Sequence, residues 1–154
     1  MPAKQSVVSN LEDHLGYWLR FVSNHVSHAF TRKLEARSVT VAEWVVMREL
    51  LQTGTTSPSV LAERLGMTRG AISKLVERLC GKELVERTYP EGDRRYQSLV
   101  LSPSGKKLVP ILADLADQND REFFGDLTPD QRAELASVLQ QIVRRQGWKD
   151  VPTS

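Results

Sequence analysis

A chain of 154 residues, 40% hydrophobic and 26% charged, has the make-up of a folded protein with one core, which excludes a disordered chain. No apolar run approaches the ~20 residues of a bilayer span, and the opening MPAKQSVVSN lacks the apolar core of a signal peptide. The single cysteine, Cys80, excludes an intramolecular disulfide framework and fits a reducing, cytoplasmic setting. Net charge is only +2, yet residues 61–107 hold ten Lys/Arg against six Asp/Glu, so a basic middle lies between mildly acidic ends. That is the footprint of a nucleic-acid reader in a non-contacting frame, with an ordinary solvated surface as the plain alternative.

Residues 10 to about 36 read as one long helix. Leu11, Leu15, Trp18, Val22, Val26 and Phe30 keep a three-four spacing, which Leu19 and Ala29 widen. This is more helix than a small winged module can cover, so part of the stripe is expected to pack on a second chain. Thr40 opens the next helix as a capping box, its hydroxyl accepting from the Glu43 amide while the Glu43 carboxylate reaches back. That helix runs through Trp44, Val45, Met47, Leu50 and Leu51 and stops near Gly54. Ser57 as cap and Pro58 at the first position open a third helix, which ends at Gly66. Thr68 caps a fourth, closed by Gly81.

Leu84 to Tyr89 reads as a strand and Pro90-Glu91-Gly92-Asp93 as a turn. A return strand from about Tyr96 alternates Leu99 and Leu101 with Ser98, Val100 and Ser102. Ser102-Pro103 caps a fifth helix with Leu108, Ile111, Leu112, Leu115 and Phe123 as its stripe. Thr128-Pro129-Asp130-Gln131 is a second capping box, opening a sixth helix with Leu135, Val138, Leu139 and Ile142. The tail GWKDVPTS reads as frayed. The fold class is therefore mostly α with a small β-hairpin wing, a winged helix-turn-helix over about 40–102 within a single domain, 1–154. Helices at about 10–36 and 103–146 are expected to form the dimerisation region.

The fourth helix carries the chemistry. Ile72, Leu75, Val76 and Leu79 make one apolar back, while Gly70, Ser73, Lys74 and Glu77 lie opposite, with Arg69 on the first turn and Arg78 at the flank. A short polar front on an anchored helix suits the major groove, where Ser and Lys contact several bases and Glu accepts from cytosine N4. Arg69 reaches a base or a phosphate, and Thr68 is a cap whether or not its region touches DNA. Arg94 and Arg95 at the hairpin tip suit a narrow minor groove, which concentrates negative potential. The plain alternatives are a solvated helix face and a charged edge that blocks sheet-to-sheet aggregation. Lys106 and Lys107 read equally as phosphate contacts or a solvated helix start.

The chain resembles the MarR (multiple antibiotic resistance regulator) family of bacterial transcription regulators over roughly residues 10 to 146. The resemblance lies most specifically in Asp93-Arg94-Arg95 followed by Leu99-Val100-Leu101-Ser102-Pro103-Ser104-Gly105-Lys106. TVAEWVVMRELL and LAERLGMTRGAISKLVERLCGKELVER support it. It implies a triangular homodimer that places two winged modules on adjacent turns of a pseudopalindromic operator in double-stranded DNA. It also implies an Asp93 that orients the basic tip, an Arg95 in or beside the minor groove, and no enzyme activity or cofactor. Many relatives are repressors that release DNA on binding a small aromatic or anionic effector.

Three features stay open. Tyr17, Trp18, Phe21 and Trp44 are core and dimer packing or the wall of an effector pocket, with Arg48 or a histidine as its polar anchor. Cys80 is a structural thiol or a redox switch, and His25 and His28, at i, i+3, are helix surface or the start of a metal site, with His14 nearby. Titration of these histidines near neutral pH would make DNA binding pH-dependent. The rivals to the main reading are an enzyme, for which no phosphate loop, Cys/His pair or metal-ligand cluster is found, and a winged-helix module that binds proteins without specific DNA binding.

Overall fold

Five hydroxyl residues set the helix starts. The side chains of Thr40, Ser57, Thr68, Ser102 and Thr128 each accept from the backbone N–H three residues on, at 3.0–3.2 Å, which satisfies one amide that has no partner inside the helix. In the computed structural model, which describes residues 7–93 and 95–154, a short 3₁₀ turn (Leu11–Asp13) precedes α1 (Leu15–Glu35), α2 (Val41–Thr53), α3 (Pro58–Leu65) and α4 (Arg69–Gly81). Then come β1 (Val85–Thr88), a 3₁₀ turn (Pro90–Gly92), β2 (Ser98–Leu101), α5 (Pro103–Phe124) and α6 (Pro129–Gln146). The chain is thus mostly helical with a two-stranded antiparallel hairpin, paired from Val85↔Leu101 to Thr88↔Ser98.

The core lies where α2, α3, α4 and the base of the hairpin meet. Ile72, Leu75, Val76 and Leu79 of α4 are buried against Leu61 and Leu65 of α3, Val46, Met47 and Leu50 of α2, and Leu99 and Leu101 of β2. Period-two alternation in β2 sends Leu99 and Leu101 inward and leaves Ser98 and Val100 half-buried. The other edge of β2 is also used: Thr56 and Leu99 exchange backbone bonds at 3.1 and 2.7 Å. This bridge, which nothing in the local sequence announces, pins the start of α3 beside the wing.

Ser102 joins the wing to α5. Its hydroxyl donates to the Glu83 carbonyl at 2.6 Å, its amide donates to Leu84 O, and its oxygen caps Gly105 N–H. Gly105 consequently lies so close to the residue before β1 that an added Cβ would sit 2.2 Å from Leu84 O. Gly105→Ala is expected to destabilise the fold by about 2–3 kcal/mol through overpacking and loss of the cap. Urea unfolding checks this, and a loss below about 1 kcal/mol would count against the close approach.

α1 and α5 pack together, with a polar clamp between them. Buried Asn119 donates to Val26 O at 3.2 Å and accepts from Lys33 Nζ at 2.9 Å, and Lys33 also pairs with Glu122. α6 is different: no residue in it is buried, and Arg132 ties its first turns to Asp120 at 2.8 Å.

Four local expectations change. The first helix is interrupted at His14, whose extended backbone (φ −97°, ψ 125°) separates the 3₁₀ turn from α1, because Asn10 and Asp13 form a capping box of their own. Glu43 does not reach back to the Thr40 amide. Its carboxylate is buried and bonds Lys82 Nζ at 2.7 Å, since a cation is a stronger partner than an amide. The strands are shorter than Leu84–Tyr89 and a return from Tyr96. The tail is not frayed: Val151 N–H donates to Leu65 O at 3.1 Å.

Candidate nucleic-acid interface

α4 is anchored by its apolar back, so its front is held out rigidly. Thr68, Arg69, Gly70, Ser73, Lys74, Glu77 and Arg78 are all exposed. Lys74, Glu77 and Arg78 line one shallow hollow. Arg69 and Ser73 line another, together with Ser57 and Ser59 at the start of α3 and with Arg95 and Gln97 of the wing. The structure thus brings Arg69 and Ser73 of the α4 front and the wing arginine onto one concave surface. Arg94 lies outside the described residues.

Asp93 shapes the wing tip. Its carboxylate accepts from the Arg95 amide at 3.0 Å, from Nε at 3.1 and 3.3 Å and from Nη2 at 2.8 Å. The Arg95 side chain, and then its amide, hold the Asp93 carboxyl below the usual carboxylate range, so it stays ionised at neutral pH. The Arg95 side chain remains 82% exposed, with its guanidinium 5.9 Å from the Tyr96 ring centre. Charge, reach and a fixed direction coincide there.

Sequence reasoning missed Ser57, Ser59 and Gln97 as members of this surface. The signal was present in Ser57-Pro58-Ser59, since a helix start directs unpaired N–H groups outward and attracts phosphate. What could not be read was that Thr56 pairs with β2 and so turns that helix start toward the wing.

The five aromatic and basic residues read as an effector pocket fall into two groups within one chain. Tyr17, Trp18 and Phe21 form a ring ladder along α1, with Tyr17–Trp18 centres 5.2 Å apart and Tyr17–Phe21 centres 6.0 Å apart. Phe21 continues onto His25 in a stacked contact at 5.6 Å. Trp44 and Arg48 instead line a hollow with Arg64, Leu65 and Val151. His14 precedes α1 and His28 is exposed. No three His, Cys, Asp or Glu residues gather into a metal-sized group among the described residues. Burial pushes the half-buried Cys80 thiol up and Arg87 draws it partly back, which leaves little of the reactive thiolate at neutral pH.

Gly70 has no packing reason to be glycine, because a Cβ built there meets nothing within 4 Å. Gly70→Ala is expected to stabilise α4 by about 0.5–1 kcal/mol while weakening operator binding. Opposite signs in thermal unfolding and DNA titration would mark a residue kept small for an outside partner. A gain in stability with unchanged DNA affinity would contradict that role.

An anchored helix with an exposed polar front, flanked by a hairpin with an arginine tip, defines a winged helix-turn-helix DNA-binding protein. Residues 38–95 match the MarR family. The HTH-type transcriptional repressor NicR of Pseudomonas putida is 24% identical over 87% of this chain and 85% of its own length. BpsR of Bordetella bronchiseptica, whose DNA binding is regulated by 6-hydroxynicotinic acid, has a similar fold: TM-score 0.76, 23% identity, covering 88% of this chain and 98% of that one. A MarR variant from Escherichia coli in complex with operator DNA gives a TM-score of 0.73 at 23% identity, covering 84% of this chain and 93% of that one. The chain is thus similar over most of its length to DNA-binding transcription regulators, and its winged part carries the MarR-family match. No helix among the described residues is long and apolar enough to cross a membrane.

Proposed function

We propose that the chain is a cytoplasmic, homodimeric repressor that binds a pseudopalindromic operator and releases it in response to a small molecule. The observation that carries this is the single concave surface shared by Arg69 and Ser73 of α4, the start of α3 and Arg95. Along the α4 front, Ser73, Lys74 and Glu77 read base edges in the major groove, while Arg69 and the α3 start hold phosphates. Asp93 directs Arg95 at the adjoining minor groove, and Arg94, its neighbour in the sequence, adds charge.

Dimerisation is supported by the bare apolar stripes at both ends. Leu11, Leu15, Trp18, Leu19 and Val22 of the first segment are exposed, as are Leu135, Val138, Leu139, Ile142 and Val143 of α6. Such an area left in water is unfavourable for a lone chain and normal for half of an interface. The winged part, about 40–102, then reads DNA, and the segments at about 10–36 and 103–146 pair the copies. Two recognition helices must lie about one DNA turn apart, ~34 Å. An effector that prefers a dimer with another spacing weakens DNA binding by its preference and by no more. The regulation of BpsR by 6-hydroxynicotinic acid supports a small-molecule response.

Sedimentation of the protein with a duplex selected for tight binding tests the dimer reading. Two chains per duplex are expected, with affinity falling steeply as salt rises. One chain per duplex, or salt-independent binding, would overturn it.

A further inference from the structure

The end of a helix leaves carbonyls without an intrahelical donor. At the end of α3 the turn itself supplies some of the donors: Met67 N–H reaches Ala62 O at 2.9 Å and Gly66 N–H reaches Glu63 O at 3.3 Å. The Leu65 carbonyl is taken from far along the chain, by Val151 N–H at 3.1 Å. Gly66, left-handed at φ 63°, lies against the same segment: an added Cβ would sit 2.6 Å from Asp150 Cα and 2.7 Å from Lys149 O. Those are backbone atoms, so no side chain can swing away to relieve the contact. Gly66 and Met67 alone separate Leu65 from Thr68, the cap of α4.

The segment that makes this contact is built to stay extended, and the helix that carries it has little burial of its own. Gly147 turns the chain off α6 at φ 69°, with Trp148 N–H returning to Val143 O at 3.3 Å. Pro152 restricts the β-branched Val151 to extended backbone, which presents its N–H sideways as a strand does. No residue of α6 is buried, and Arg132 ties its first turns to Asp120 of α5. The other end of α6 lies roughly 27 Å further on. There the residues after it fasten to the α3–α4 turn.

We propose that residues 148–151 are a strap that positions the recognition helix, with Val151 as the positioning residue. The α3–α4 turn is short, so a shift at Leu65 or Gly66 re-aims the start of α4, where Thr68 and Arg69 stand. Residues 148–151 line no part of the hollow shared by Arg69, Ser73 and Arg95, so the strap acts on aim and not on contact. The consequence for DNA rests on the repressor reading above; the strap itself does not.

Val151→Pro removes the one donor and keeps an extended backbone, whereas Val151→Ala trims the side chain and keeps the N–H. Hydrogen exchange of the full chain without DNA tests the strap. Exchange at the Gly66 and Met67 amides is expected to rise about fivefold in Val151→Pro and to stay near wild type in Val151→Ala. Wild-type exchange in Val151→Pro would overturn the strap. Anisotropy titrations against a selected operator and a scrambled duplex test the positioning. Val151→Pro is expected to lose about three- to tenfold in operator affinity while its affinity for the scrambled duplex and its salt dependence hold, because no phosphate contact is lost. Val151→Ala is expected to match wild type on both. A merely structural role would lower the folded fraction and so weaken binding to both duplexes alike. Equal losses on the two duplexes, an equal loss in Val151→Ala, or an unchanged operator affinity in Val151→Pro would each overturn the positioning role. A wild-type chain that binds no operator would overturn the repressor reading and the positioning role with it, while exchange still reads the strap.

Discussion

Arg95→Ala is expected to weaken operator binding by about 1–3 kcal/mol and to lower the dependence on salt by about one phosphate-equivalent. The physical reason is preorganisation. An exposed arginine ordinarily samples many rotamers, and holding it against DNA costs side-chain entropy. Here Nε, Nη2 and the backbone amide of Arg95 are already held by Asp93, while the side chain stays 82% exposed. Nη1 is left for an acceptor in the groove. Arg95→Lys keeps the charge but loses the fork on Asp93, so an intermediate loss is expected. Asp93→Asn is expected to cost affinity without touching DNA itself. Anisotropy titrations at two salt concentrations check the series, and an alanine variant that binds like wild type at moderate salt would contradict the minor-groove assignment.

Lys82→Met is expected to destabilise the fold by about 3 kcal/mol. Glu43 is 1% exposed, and its carboxylate bonds Lys82 Nζ at 2.7 Å. The same ammonium donates to Ser38 O at 2.7 Å, so one cation ties the α1–α2 turn and the start of α2 to the end of α4. Removing it strands a buried carboxylate. The lower end of the usual range applies because the Lys82 side chain is itself 38% exposed and water reaches the pair from that side. Glu43→Gln combined with Lys82→Met is expected to recover much of the loss, since the charge is then gone from both partners. Chemical unfolding of the single and double variants decides the matter. Equal losses in both would show that the buried charge is not the cause.

The α4 pattern was legible because a three-four apolar period and a threonine cap are local signals, and Ile72, Leu75, Val76 and Leu79 are buried as that period requires. The wing was legible from turn residues and from the alternation about Leu99. Glu43 shows where local reasoning stops. Thr40 and Glu43 carry the letters of a capping box, and the threonine half forms, but the carboxylate answers to a lysine 39 residues away. The Thr56–Leu99 bridge and the Val151–Leu65 bond are likewise long-range, made by backbone atoms that every residue has. No side-chain pattern announces such bonds. The concave surface could be read as α4 plus a wing tip, whereas its third contributor, the start of α3, became visible only with the fold.

The most direct test of the account is selection of the purified protein against random duplex DNA, with the bound pool sequenced at two salt concentrations. A two-fold symmetric motif with half-sites one helical turn apart, retained at the higher salt, is the predicted result. A pool with no motif, held only at low salt, would contradict sequence-specific binding by a dimer and would put a protein-binding winged-helix module in its place.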